Sequence, residues 1–184
     1  SSDLIAAAPL GVALDAVYNG TTRFTSTGGA TNAAAGTVST GGSLQVAGLM
    51  GSERLTEVTV SDANADVVTA GKSVTAAAGS NGFVASNYAL RVGANSSVVD
   101  GAITSANNTV AITPAPLGVA AAPTYNGSTA FTATAGVANG TTGSLTTGGS
   151  VSVAGLVNGQ TLGGFSLDSA NVVGASKVTG VSLT

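Results

Sequence analysis

Short stretches in which apolar and polar residues alternate recur along this chain, and they predict β-strands. Alternation places every second side chain on the same face of a strand, so one face of each stretch is apolar. The residues predicted to share a buried face are Leu44 and Val46; Val58 and Val60; Tyr88, Leu90 and Val92; Val151 and Val153; and Phe165 and Leu167. This pattern is typical of sheets that meet a core on one face and water on the other.

Turn signals separate these stretches. The pairs Asn-Gly and Gly-Gly recur in NGTT, STGG, GSNG, NGST, TTGG and NGQT, and they favour tight turns with positive φ. Helical patterns are weak, and the Ala-rich stretch from Thr31 to Ala35 predicts at most one turn of helix. The local patterns therefore predict an all-β fold.

One segment occurs twice. PLGVALDAVYNGTTRFT begins at Pro9, and PLGVAAAPTYNGSTAFT begins at Pro116, which gives an offset of 107 residues. Between Ala8 and Leu49, 24 of 42 positions carry the identical residue at this offset. The match extends back to Ile5, which falls on Ile112. This identity indicates the duplication of a whole folding unit.

The second copy is shorter than the first. The first copy continues past Lys72 through NYALRV and TVAIT, whereas only seven residues follow the corresponding Lys177. We therefore expect two tandem, elongated β-domains, sandwich-like or β-grasp-like, of which the second is incomplete at its C-terminal end. The predicted domains are residues 1–115, the first repeat with its closing linker strand, and residues 116–184.

The joint between the predicted domains contains two prolines. Pro114 and Pro116 have a fixed φ and no backbone N–H to donate to the hydrogen bonds of a sheet. We therefore expect them in a stiff linker or at a strand edge. Two domains in series on such a connection are expected to form a rod.

Composition excludes several classes of partner. Charged residues are 7% of the chain, the net charge is −3 and the five basic residues are scattered, whereas nucleic acid requires a clustered basic face. No apolar run approaches the ~18 residues of a membrane span. The chain begins without Met or a basic leader, so any export signal is expected to have been removed, or the chain to be a piece of something longer.

Candidate chemistry is sparse. With no Cys, His or Trp, there is no thiol or imidazole chemistry, and we predict no enzymatic activity and no cofactor. Asp62 and Asp66 are candidate Ca²⁺ ligands, although solvated loop carboxylates are the favoured interpretation. Asn-X-Ser/Thr sequons, best explained by turn chemistry, occur at Asn19, Asn95, Asn107, Asn126 and Asn139.

Four motifs carry a family resemblance. VYNGTTRF and TYNGSTAF resemble the opening of the YDG-type repeat found in tandem in bacterial surface adhesins of the filamentous-haemagglutinin kind. SANVVGASKVTGVSL is similar to the middle segment of that repeat, SNYALRVG to its Asn-Tyr strand, and AITPAPLGV to its Ile-Thr-Pro link. The chain departs from the pattern at Asn19 and Asn126, where the family name implies Asp, which argues against an acidic or cation-dependent role for the motif.

The resemblance implies a non-enzymatic, extracellular repeat at a bacterial cell surface, used as a stalk or matrix-binding element. Its partners would be other copies of the repeat, or a host or matrix surface. One alternative is a subunit of a self-assembling filament in which neighbours exchange strands, and another is a carbohydrate-binding module. The residues predicted to define the structure of the repeat are Tyr18, Asn19, Gly20, Phe24, Asn87, Tyr88, Pro114, Pro116, Tyr125, Asn126, Gly127 and Phe131.

Overall fold

The computed structural model describes residues 5–60, 74–90 and 108–184. The chain divides into two compact units, Ser1–Pro114 (unit 1) and Ala115–Thr184 (unit 2). Nearly all of the described secondary structure is β-strand, and the described residues contain no α-helix, only a short 3₁₀ turn at Ala85–Asn87. The predicted all-β class is confirmed.

The described part of unit 1 forms one eight-stranded sheet. Its strands are β1 (Ala8–Val17), β2 (Arg23–Ala30), β3 (Gly36–Val38), β4 (Gly42–Ala47), β5 (Arg54–Val60), β6 (Val74–Ser80), β7 (Tyr88–Leu90) and β8 (Asn108–Thr113). The order across the sheet is β6-β5-β2-β3-β4-β1-β7, and β8 also pairs with β1. Strand β6 approaches β1 and β8, so the sheet curls back on itself around a core.

Strand β1 is paired along both edges. On one side it runs antiparallel to β4, from Gly11 opposite Ala47 to Ala16 opposite Gly42. On the other side it runs parallel to β7 over its first residues and parallel to β8 over the rest. The inward residues Leu10, Val12, Leu14 and Ala16 are fully buried.

Unit 2 repeats the first six strands of unit 1. They are β9 (Gly118–Pro123), β10 (Ala130–Ala138), β11 (Thr142–Ser144), β12 (Gly149–Ala154), β13 (Thr161–Leu167) and β14 (Val178–Leu183). Two three-stranded sheets result, ordered β10-β13-β14 and β11-β12-β9, and a single bridge between Ala133 and Leu145 connects them. The register is preserved: Phe131 lies opposite Phe165 as Phe24 lies opposite Val58.

The turn that leads into β4 and β12 requires glycine. Gly42 and Gly149 have φ of 102° and 96°, in the left-handed region that side chains disfavour. A Cβ at either position would overlap the backbone of the neighbouring strand, at Asp15 in unit 1 and at Ala122 in unit 2. Both copies keep the Gly-Gly pair because no other residue fits the second position.

The predicted helical turn at Thr31–Ala35 is wrong. Thr31 and Ala34 form an antiparallel bridge around a tight turn, with backbone hydrogen bonds in both directions. The hydroxyl of Thr31 also accepts a hydrogen bond from the N–H of Ala34. Helix propensity of the alanines is overridden because β2 must reverse direction here to pair with β3.

Candidate functional site

Both Tyr-Asn-Gly motifs form the same turn after the first strand of their unit. The side-chain oxygen of Asn19 accepts a hydrogen bond from the N–H of Thr21 at 2.8 Å, and that of Asn126 accepts one from Ser128 at 2.9 Å. Gly20 and Gly127 follow with φ of 74° and 75°. This geometry is an Asx turn, in which the Asn side chain imitates a backbone turn.

The two phenylalanines of the repeat lie in the cores. Phe24 and Phe131 are 1% and 5% exposed. Phe131 stacks on Phe165 with a ring-centroid distance of 5.4 Å. Both side chains therefore pack within the core of their own unit.

The Asn-Tyr segment joins β7 to the loop after β4. Tyr88 is buried, stacks on Phe83 and donates its hydroxyl to the carboxylate of Glu53, while its oxygen accepts the N–H of Met50. Removal from water and the hydrogen bond to Glu53 raise the pKa of Tyr88. Asn87 is exposed and ends the 3₁₀ turn.

The predicted linker prolines lie at the division between the units. Pro114 and Pro116 are exposed, and the backbone between β8 and β9 carries no strand pairing. The division itself falls between Pro114 and Ala115.

Sequence reasoning missed one pair of structural side chains. The amide of Asn32 donates to the carbonyl of Leu49 and accepts the N–H of the same residue. Asn139 is the equivalent of Asn32 at the 107-residue offset. Its side-chain oxygen accepts hydrogen bonds from the N–H groups of Gly155 and Leu156 at 2.8 and 3.1 Å. The available signal was that both asparagines are retained at positions where the surrounding residues differ.

Several candidate residues lie outside the described part of the chain. They are the proposed calcium ligands Asp62 and Asp66, and the sequon residues Asn95 and Asn107. Within the described ranges, no three acidic residues come together as a metal site would require. Among the same residues, no helix is both long and apolar enough to cross a membrane.

The two units differ most at their first strands. Leu10 of β1 is fully buried, whereas its counterpart Leu117 is 38% exposed. Val12, Leu14 and Ala16 of β1 are also buried, whereas the equivalent residues of β9 are only half-buried. Among the strands that the structure describes, none pairs with the edge of β9 that corresponds to the β7 and β8 side of β1.

The tyrosines of the two motifs show the same contrast. Tyr18 is partly buried against the core, and its N–H donates to the carbonyl of Thr113 in β8 at 2.9 Å. Tyr125 is 64% exposed, and within the described residues its N–H has no acceptor. The difference follows from β8, which covers this end of the core in unit 1.

An open groove lies where that covering strand would run in unit 2. It measures about 330 Å³ and has an apolar floor formed by Val119, Ala121, Phe131 and Val178. Tyr125 and Lys177 also line it. The floor residues Val119, Ala121 and Val178 pack against the core of unit 2 but remain half-buried.

One wall of the groove is fixed by a carboxylate. Asp168 accepts the backbone N–H groups of Ser176 and Lys177 and the hydroxyl of Ser176, at 2.9 to 3.1 Å. These hydrogen bonds, led by the one from the Ser176 backbone, hold the pKa of Asp168 below its usual value. They close the loop between β13 and β14 and hold the backbone of Lys177 beside the groove.

Comparison with known proteins gives no relative. No family model matches the chain, and no curated protein or solved structure matches it.

Proposed function

We propose that this chain is a non-enzymatic, extracellular repeat segment that serves as a stalk or other structural element of a bacterial surface adhesin. The observation that carries the proposal is the use of the repeated motif residues within the fold. Asn19 and Asn126 form turns with their own backbone, and Phe24 and Phe131 fill cores. These four side chains therefore serve the construction of each unit.

The resemblance to YDG-type repeats and the duplication support the same function. A stalk gains length by adding folded units of one design, each with its own core. Both units of this chain have separate cores, built by equivalent strands in equivalent register. The low charge and the scattered basic residues also fit a spacer better than a site for a charged ligand.

Ligand binding by the purified chain tests this function. The chain should show no saturable binding to a panel of glycans and extracellular-matrix proteins. Tyr125→Ala is the informative variant because Tyr125 is the exposed aromatic residue of the groove. Saturable binding tighter than about 1 μM that Tyr125→Ala abolishes would overturn the stalk function and favour a carbohydrate-binding or adhesive module.

A second candidate function is a subunit of a self-assembling filament. The specific observation in its favour is the edge of β9, which is unpaired among the described residues and lies beside an apolar groove. An exposed strand edge carries N–H and C=O groups that recruit a strand from another chain.

A further inference from the structure

We propose that the groove between β9 and β14 is a strand-acceptor site, and that its occupant is residues 1–6 of a second copy of this chain, added as a strand parallel to β9. The inference rests on the filament function described above and names the partner of its site. In unit 1 the equivalent edge is occupied by β7 and β8.

Strand β8 shows how this edge is filled. It runs parallel to β1, with Val110 opposite Leu14 and Ile112 opposite Ala16. Val110 and Ile112 are 5% and 4% exposed, so they are part of the core. Apolar residues at the Val110 and Ile112 positions of an added strand therefore complete the core of unit 1.

The N-terminal segment is the sequence counterpart of β8. At the 107-residue offset, residues 1–6 (SSDLIA) fall on residues 108–113 (NTVAIT), and Ile5 falls on Ile112. Ile5 is 98% exposed, so its side chain is available to another molecule. Residues 1–6 therefore match the sequence position of β8, with the same residue at the Ile112 position and Asp3 at the Val110 position.

The register of β8 places each residue of the added strand. Transferred to unit 2, it puts Ile5 beside Pro123, near the exposed ring of Tyr125. It puts Asp3 beside Ala121 on the groove side, where unit 1 has the apolar Val110. Lys177 lines the same groove, so this register places the carboxylate of Asp3 on the same side as a cation, which is a complementary charge.

Backbone donors support the same register. In unit 1, Val17 donates its N–H toward β4 and Tyr18 donates toward β8, because successive N–H groups of a strand point to opposite sides. Thr124 repeats the first bond by donating to Gly148, so the N–H of Tyr125 points to the open edge. Pro123 lies in the same row and has no N–H, so the added strand forms one hydrogen bond fewer than β8 does.

The contact joins two different surfaces and is therefore heterologous. Each copy offers its N-terminal segment to one neighbour and the groove of unit 2 to another, so copies add head to tail.

Disulfide trapping between single-cysteine variants tests the register directly, because the chain has no native cysteine. Ile5→Cys is mixed with Pro123→Cys under mild oxidation, and the junction is identified by mass spectrometry. Neighbouring strands lie about 4.8 Å apart, within the Cα separation that a disulfide spans. We expect a dimer linked between residues 5 and 123.

The matched control replaces Pro123→Cys with Thr141→Cys. Thr141 is exposed in the turn before β11, which is separated from β9 by β12. If the disulfide to residue 141 forms as efficiently as the disulfide to residue 123, the cross-links result from non-specific collisions between molecules. That result would overturn the register.

Sedimentation velocity over a range of concentrations tests association in the unmodified protein. Wild type should form larger species as concentration rises, and Ile5→Asp should raise the concentration needed by about tenfold or more, since it removes a buried Ile side chain from the contact. Val173→Asp is the control, because Val173 is fully exposed and does not line the groove. Lys177→Glu should weaken association, and adding Asp3→Lys should restore it.

A chain that stays monomeric and untrapped at every concentration would overturn this inference and leave the stalk function standing. Association that persists unchanged in Ile5→Asp would also overturn it, because another surface would then be responsible. Saturable ligand binding in the glycan and matrix panel would instead contradict the stalk function without bearing on strand addition.

Discussion

At the scale of single residues, the turns formed by the Tyr-Asn-Gly motifs could be predicted from the sequence. The hydrogen-bond partners of isolated polar side chains could not. Tyr-Asn-Gly after an apolar run predicts a turn because the Asn side chain and a positive-φ glycine act within a few residues. Asn32 bonds the backbone of Leu49, 17 residues away, and no local pattern encodes that distance. Its repetition as Asn139 is the clue that two copies provide.

The hydroxyl of Ser26 leads to a prediction. It is buried and has no hydrogen-bond partner within the described part of the chain, and the equivalent residue of unit 2 is Ala133. Because an unsatisfied buried hydroxyl is destabilising, Ser26→Ala should raise the free energy of unfolding by about 1 kcal/mol. The measurement is urea unfolding followed by circular dichroism, with Ala133→Ser as the reciprocal variant, which should lower stability. A loss of stability in Ser26→Ala would contradict this description of the site.

At the scale of elements, alternation predicted which residues share a face but not which strands are neighbours. Leu44, Val46, Val58 and Val60 are all buried as predicted. The parallel pairing of β8 with β1 joins residues almost a hundred positions apart. Period-two alternation describes one strand at a time, so the sequence alone could not place β8 on that edge.

Glycine at the β11 to β12 turn gives a second prediction. Gly149→Ala should destabilise unit 2 by more than about 2 kcal/mol, because it adds backbone overlap to the cost of positive φ. Gly127→Ala is the matched control, since Gly127 also has positive φ but open space around its Cβ position, and it should cost only about 1 kcal/mol. Equal losses in urea unfolding of the two variants would refute the steric argument.

The loop between β13 and β14 gives a prediction about pH. Asp168 has its pKa lowered by hydrogen bonds that exist in the folded state. Their contribution is therefore fully present above the ordinary aspartate pKa of about 3.9, and it is lost as pH falls through the lower folded value. The amide signals of Ser176 and Lys177, followed by NMR, should titrate with a midpoint below about 3.9.

The control for this titration is Asp168→Asn, in which the pH-dependent movement of both amide signals should disappear. A midpoint at or above the ordinary aspartate value in the wild type would show that the backbone hydrogen bonds do not hold the carboxylate in its charged form.

At the scale of the whole molecule, the duplication was evident from the sequence, and the consequence of its unequal copies required the structure. The offset of 107 residues relates β1 through β5 to β9 through β13. The exposure of Leu117 and Tyr125, compared with Leu10 and Tyr18, shows which part of unit 2 the described residues leave uncovered. Burial depends on residues far apart in the chain, so sequence patterns of either copy alone could not reveal it.

Strand addition at the open edge of β9, as β8 is added at β1, can be followed at two backbone amides. Amide hydrogen exchange of Tyr18 and Tyr125, measured by NMR in one sample at low and high protein concentration, tests it most directly. In dilute protein the Tyr18 amide should be protected by about two orders of magnitude more than the Tyr125 amide, because among the described residues the Tyr18 amide has an acceptor and the Tyr125 amide has none. At high concentration Tyr125 should become protected while Tyr18 does not change. A Tyr125 amide that exchanges equally fast at both concentrations, or one already protected in the dilute monomer, would contradict strand addition at β9.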